Sequence, residues 1–185
     1  MRMERGLDTG AVYRTLERPL RGDEYADQLE LELGELAGRH VAETLRGIAD
    51  GKYPPEVQDE ARASSCFKIR KEDSWIDWNA EACRIAAAVR AYHPWPGARC
   101  TVRRGGEESI LTLRRAEVIA ESTLRPGEAS IPDRRTLAVG CGKGALRILE
   151  LTPAGSKVMD AAAFINGLRG EKPEFLLRNA TFPEA

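Results

Sequence analysis

Three short stretches of this 185-residue chain carry side chains that could do chemistry or grip a charged ligand. The first is Gly6-Leu7-Asp8-Thr9-Gly10, an acid inside a glycine-bounded turn. Glycines accept positive φ and close backbone approach, so this is a sharp reversal that presents one carboxylate. Such a carboxylate suits orienting a base or passing a proton, work that needs a second titratable group within hydrogen-bond reach. Nothing before Asp8 supplies one, so the sequence reads as starting inside a domain. The second stretch places Lys68, Arg70 and Lys71 close to Trp75 and Trp78. Cations supply the salt-sensitive part of nucleic-acid affinity, and exposed aromatics stack on bases; the alternative is a solvated linker with the two tryptophans packed under a following barrel. The third, Gly140-Cys141-Gly142-Lys143-Gly144, misses the G-x-x-x-x-G-K-[ST] spacing and has no hydroxyl after its lysine. A hairpin turn with Lys143 at its tip is the better reading.

Metal chemistry is not expected. Cys66, Cys83, Cys100 and Cys141 are widely spaced without a C-x-x-C pair, and His40 and His93 are the only histidines. That spacing predicts free, mostly buried thiols in a reducing cytoplasm. Hydrophobic residues make up 42% and charged residues 31% of the chain, the balance of a soluble globular protein. No apolar run approaches the roughly 18 residues that span a bilayer, and no apolar stretch follows the N-terminal arginines as a secretory signal would require. The net charge of −1 hides an asymmetry, because residues 1–65 hold nine Lys/Arg against fourteen Asp/Glu. The remainder is net basic, which mildly favours a polyanionic partner.

The elements that must position these groups follow from periodicity and turn signals. Residues 11–20 read as an edge strand ending near Pro19. Asp23 is the expected N-cap of a helix over 24–50, whose apolar stripe runs through Tyr25, Leu29, Leu33, Leu36, Val41, Leu45 and Ile48. Residues 52–75, with Pro54-Pro55, read as a linker. Asn79 is the expected cap of a helix over 80–92, stopped by the rigid corner His93-Pro94-Trp95-Pro96-Gly97. Short strands follow at 98–103, 109–114, 116–121, 137–141 and 145–151, the first two joined at Gly105-Gly106. Arg99, Arg103, Arg104, Arg114 and Arg115 flank that hairpin, as a basic face or as an ordinary soluble sheet surface. Asp160 caps a final short helix closed by Gly170. Five or six short strands with a flanking helix suggest a small barrel of the oligonucleotide/oligosaccharide-binding (OB) type. The predicted domains are thus 1–51, a linker at 52–75, and 76–180.

Three strings, in this order, resemble the methionyl-tRNA formyltransferases. They are MRMERGLDTG, then QDEARASSCFKIRKEDSWIDWN running into RAYHPWPGA, then LRILELTPAGSKVMDAAAFING. The resemblance implies an α+β chain: a remnant strand and helix of a Rossmann-like formyltransferase domain, then an OB-like β-barrel with flanking helices. It implies formyl transfer from 10-formyltetrahydrofolate to the amino group of methionyl initiator tRNA, with no metal and no membrane. Asp8 matches the family's catalytic aspartate, while its Asn and His partners and the main folate-contacting loop would lie upstream, in an N-terminal catalytic segment outside these residues. Lys68, Arg70 and Lys71 would face tRNA, and the 24–50 helix would lack the sheet it normally covers. Two alternatives stand beside this reading: a catalytically inactive tRNA-binding module, and a fragment of a related enzyme that formylates sugar nucleotides or processes formyltetrahydrofolate.

Overall fold

Every large apolar side chain sealed from solvent lies beyond residue 75. The computed structural model describes residues 1–177, so residues 178–180 of the expected last domain fall outside the described residues. Two compact units are distinguished, one ending at Lys68 and the other starting at Ile69.

In the first unit, α1 spans Ala26–Ala49. Asp23 does not cap it. Tyr25 occupies the N-cap position without a side-chain bond, and Asp23 turns to Arg21 Nε at 3.2 Å. Glu24 is the reason. Its carboxylate accepts the Arg21 and Gly22 N–H groups at 2.8 and 2.9 Å, and the Arg18 guanidinium. Those bonds, the Arg21 N–H foremost, hold it far below the usual carboxylate range. The expected strand over 11–20 is also absent: only Val12 pairs, with Glu56, through bonds of 2.8 and 2.9 Å. β-propensity needs a neighbouring strand to be realised. Here the arginines bind α1 instead, Arg14 to Thr44 and Glu43, Arg18 to Glu32. The stripe on α1 stays open, with Leu33, Val41 and Leu45 exposed by 44%, 53% and 62%.

The second unit is a nearly closed antiparallel sheet. Its strands are β1 Ala98–Arg104, β2 Glu107–Ile119, β3 Ala129–Ser130, β4 Leu137–Gly140, β5 Ala145–Pro153, β6 Met159–Asp160 and β7 Glu174–Phe175. The order is β3-β4-β5-β2-β1-β7, with β6 on β5. Gly105 and Gly106, both at positive φ, turn β1 into β2 as expected. The strands read at 109–114 and 116–121 are one strand, with register shifts at Leu113–Ala116. Such a bulge bends the strand, so its first half serves β1 and its second half β5. Gly127 brings the two sheet edges together, donating to Gly140 O at 3.0 Å and accepting from Phe175 N at 3.3 Å. A Cβ there would lie 2.3 Å from Phe175 O.

Helix α2, Ala82–Ala91, closes one side with Ile85, Ala86 and Val89 fully buried. Its start is not capped by Asn79, whose amide binds Asp77 Oδ1 at 2.9 Å. The Cys141–Gly144 turn does that work: Lys143 O accepts the Ala82 N–H at 3.0 Å, and Gly142 N donates to Ala80 O at 2.9 Å. This is the expected hairpin, joining β4 to β5. A Cβ on Gly142 would sit 1.9 Å from Asn79 O, so only glycine fits. At the other end of α2 the Pro94–Pro96 corner leaves Trp95 55% exposed rather than packed. Helix α3, Ala161–Gly167, is capped by Asp160 as expected, its carboxylate accepting Ala163 N–H at 2.7 Å.

The cysteines report on this burial. Only two of the four, rather than most, are buried: Cys100 and Cys141 are in the core, while Cys66 and Cys83 lie outside it and are exposed. Loss of solvent raises both buried thiols, that of Cys141 to about 12. The thiolate is the nucleophile, so maleimide at mildly alkaline pH should label Cys66 and Cys83 quickly and the other pair only after denaturation. Four sites labelling together in the native protein would refute the core as described.

Candidate nucleic-acid interface

The basic stretch is positioned from β1. Arg99 donates through Nε to Ser74 Oγ at 2.9 Å and through its other guanidinium nitrogen to Lys71 O. Ser74, only 1% exposed, donates in turn to Lys71 O at 2.7 Å. The Arg99 guanidinium also lies over Trp75, 4.7 Å from the ring centroid, and Ile76 N donates to Arg99 O at 2.8 Å. These bonds pin the 3-10 turn Lys71–Ser74 to the sheet. Asp73 completes it, accepting the Arg70 N–H at 2.8 Å and its guanidinium at 3.1 Å. Those contacts, the backbone N–H first, hold the Asp73 carboxyl below its usual range. Arg70 is therefore half-neutralised yet 72% exposed in its side chain. The Lys71 side chain is exposed and makes no ion pair among the described residues. Lys68 is likewise exposed, the last residue of the first unit.

Trp78 does not join these cations as a stacking platform. Trp78 is completely buried, edge-on to Phe175 at 5.4 Å, and Trp75 lies under Arg99. Burial, weighed as the alternative, holds for Trp78. Phe67, 94% exposed beside Lys68 in the chain, is the aromatic that sequence reasoning passed over. Its only sequence signal is an aromatic flanked by polar and basic residues outside any periodic segment. The hairpin arginines are absorbed by the fold. Arg103 pairs with Glu108 and Glu174, Arg115 with Glu150, and Arg114 donates to Thr152 and Pro94 O.

Asp8 sits at φ +55° in an exposed turn whose carbonyls at Asp8 and Gly10 accept the Gln58 amide at 2.8 Å. Its carboxylate has no hydrogen-bond or ion-pair partner among the described residues. His40, in the same unit, faces Glu43 at 3.5 Å. The cavity beside Asp8, about 290 Å³, is lined only by residues of the segment 1–10. A folate donor needs opposing walls that bury most of its surface; one segment cannot provide them. Among the described residues there is also no cluster of three or more metal-ligating side chains, and no helix long and apolar enough to cross a membrane.

Comparison with known proteins agrees with the family strings quoted above. Residues 68–169 match the family described as formyl transferase, C-terminal domain. The methionyl-tRNA formyltransferase of Pseudoalteromonas translucida (strain TAC 125) is 34% identical over 170 residues, covering 90% of this chain and 52% of that protein. The methionyl-tRNA formyltransferase of Methylacidiphilum infernorum is 36% identical over 168 residues, again 90% of this chain and 52% of its own length. This chain thus spans about half the length of the curated relatives it matches. Among solved structures, HypX from Aquifex aeolicus in complex with tetrahydrofolic acid superposes with a TM-score of 0.65 at 22% identity, over 90% of this chain and 29% of HypX. A variant of the same protein gives 0.66 at 23% identity, over 90% of this chain and 30% of that one. These likenesses speak to the fold.

Proposed function

This chain belongs to the formyl transferase C-terminal domain family, and from that premise we propose that it is the RNA-contacting part of a methionyl-tRNA formyltransferase. Such an enzyme moves a formyl group from 10-formyltetrahydrofolate to the amino group of methionyl initiator tRNA. The observation that carries the reading is the pinned turn after Lys68, which holds Arg70 and Lys71 at the surface while Arg99, Ser74 and Asp73 absorb the local hydrogen bonds. An OB-type barrel would be the natural frame for such contacts. Residues 1–51 stand as the remnant of the catalytic domain and 52–75 as its linker. Asp8 is the catalytic aspartate, and the donor and Asp8's partners are held by polypeptide outside these residues.

Binding of initiator tRNA by the full chain, followed by filter retention across a salt series, tests the reading. Affinity should fall as salt rises, because each phosphate neutralised releases counterions. The triple variant K68A/R70A/K71A should bind more weakly at low salt with a shallower salt slope, by about 0.7–0.9 for each phosphate it no longer neutralises. Arg70→Ala alone should cost less than either lysine, since Asp73 already offsets its charge. Equal retention of wild type and triple variant would reject the assignment. Asp8's solitary carboxylate favours a second reading, a tRNA-binding module without catalysis of its own; both readings expect no transfer by this chain alone, and only the first expects transfer to appear when the N-terminal catalytic segment of a relative is supplied.

A further inference from the structure

We propose that the groove at the C-terminal end of α3 binds a nucleoside phosphate, its phosphate on Arg134 and Arg169 and its base on an apolar floor. The site lies in the second unit, shares no residue with the 70–74 turn, and does not rest on the linker reading. A cavity of about 670 Å³ opens between the loop after β3 and the turn after α3. Ile131, Ile165 and Leu168 supply its apolar part, with Leu168 only 3% exposed and the two isoleucines half-buried. Arg134, Arg169 and Lys172 line it as cations, with Glu171 as the one carboxylate.

Both arginines are held by their own backbones and left electrically free. Asp133 accepts the N–H groups of Arg135 and Thr136, each at 2.7 Å, and the Thr136 hydroxyl at 3.1 Å. That knot fixes the bend carrying Arg134. On the other wall Leu168 is helical and Arg169 stands at φ +50°, followed by Gly170 at +91°. This is the left-handed turn that ends a helix, closed by Glu171 N–H on Leu168 O at 3.0 Å, and it fixes where the Arg169 side chain leaves the backbone. Neither Arg134 nor Arg169 makes an ion pair or side-chain hydrogen bond among the described residues. Lys172 reaches Glu128 only at 3.9 Å. Glu171 is turned toward the β1–β2 hairpin, its Oε2 about 3.1 Å from where a Cβ on Gly105 would lie. Arg104 approaches Gly167 O at 3.4 Å, moderating the negative end of α3.

The charge balance selects the ligand. With Lys172 set against Glu128 and Glu171 turned to the hairpin, the unpaired Arg134 and Arg169 guanidiniums present two positive charges to the groove. A phosphate monoester carries about −1.5 to −2 at neutral pH, whereas a single carboxylate would leave one cation unmet. Guanidinium groups recognise phosphate oxygens in fork geometry. The volume lies in the range of small-molecule sites, and the recessed aliphatic floor gives a flat heterocycle somewhere to rest. The nucleoside phosphate could be a free nucleotide or one residue of an RNA strand; the chemistry is shared.

Titration calorimetry on the full chain at low salt decides, with AMP, a five-residue oligoadenylate and inorganic phosphate as probes. AMP should bind saturably and more tightly than inorganic phosphate, which leaves the floor unused. The double variant R134A/R169G should weaken AMP by about tenfold or more, as expected when two charge-assisted hydrogen-bonding groups are removed. Glycine is chosen at 169 because it keeps the positive φ, and circular dichroism confirms that both proteins are folded. Tighter binding of the oligoadenylate assigns an RNA strand, and equal or weaker binding assigns a free nucleotide. Absence of saturable binding by both nucleotides overturns the site, as does AMP affinity unchanged in R134A/R169G; phosphate binding as well as AMP overturns the base contact. The linker triple variant should keep its AMP affinity, so failure of one proposal is distinguishable from failure of the other.

Discussion

Methionyl initiator tRNA incubated with this 185-residue polypeptide and 10-formyltetrahydrofolate should gain no formyl group above the uncatalysed background. Formyl transfer requires the attacking amine to lose a proton, the tetrahedral oxyanion to be stabilised, and the leaving nitrogen to be protonated. Positioned acid–base groups contribute about 10²–10⁴-fold to such reactions. Removing one oxyanion donor costs on the order of 10²–10³-fold. Asp8 can serve only the first need and lacks a partner to relay through, its turn being bound by Gln58 through main-chain carbonyls alone. The expected deficit against a complete enzyme is therefore on the order of 10⁴-fold or more. Transfer of radiolabelled formyl groups measures it, and Asp8→Asn should change nothing. Turnover above background that disappears in Asp8→Asn would overturn this account, and with it the reading of a chain that binds RNA without reacting on it.

Trp78→Ala should unfold the second unit in all but the most favourable conditions. Trp78 is 0% exposed and meets Phe175 edge-on, so it links the segment before α2 to the strand that closes the sheet. Truncating a buried aromatic to alanine costs about 3–5 kcal/mol, a large share of the roughly 5–15 kcal/mol that stabilises an ordinary domain. Its indole Nε1 has no acceptor among the described residues. An unmet buried donor carries a penalty of about 1–3 kcal/mol, so Trp78→Phe, which removes that donor, should be markedly milder than Trp78→Ala. Trp95→Ala, at an exposed corner, should stay within about 0.5 kcal/mol. Urea unfolding followed by near-ultraviolet circular dichroism reads all three. Equal midpoints for Trp78→Ala and Trp95→Ala would mean that Trp78 is not the core residue described.

Much of the sheet was legible from local signals. Gly105-Gly106 marked a hairpin because adjacent glycines accept the positive φ that a tight reversal needs, and both adopt it. Asp160 marked a helix start because its carboxylate reaches an N–H three residues on, a bond made within one turn. The sheet surface was less legible: Arg103 and Arg115 read as a possible basic face until cross-strand Glu108, Glu174 and Glu150 took up their charge.

What the sequence by itself determined are the features whose cause lies within a few residues. They are the turns, the Asp160 cap, the strand segments of the sheet, and the motif strings that carry the family. The tertiary structure alone decided which partner satisfies each polar group. Asn79 and Asp23 carry the right chemistry for caps, yet Lys143 O takes the Ala82 N–H at the start of α2, and Asp23 turns back to Arg21 and leaves α1 without a side-chain cap. Residues 11–20 have strand propensity and no neighbouring strand along most of their length. Trp75 and Trp78 lie three residues apart, one under an arginine and the other sealed against β7. Arg134 and Arg169 are 35 positions apart, and only folding places them on one groove. Local preferences are worth about a kilocalorie each, comparable to one hydrogen bond supplied from elsewhere in the chain. Where the chain returns with a better partner, the local preference yields.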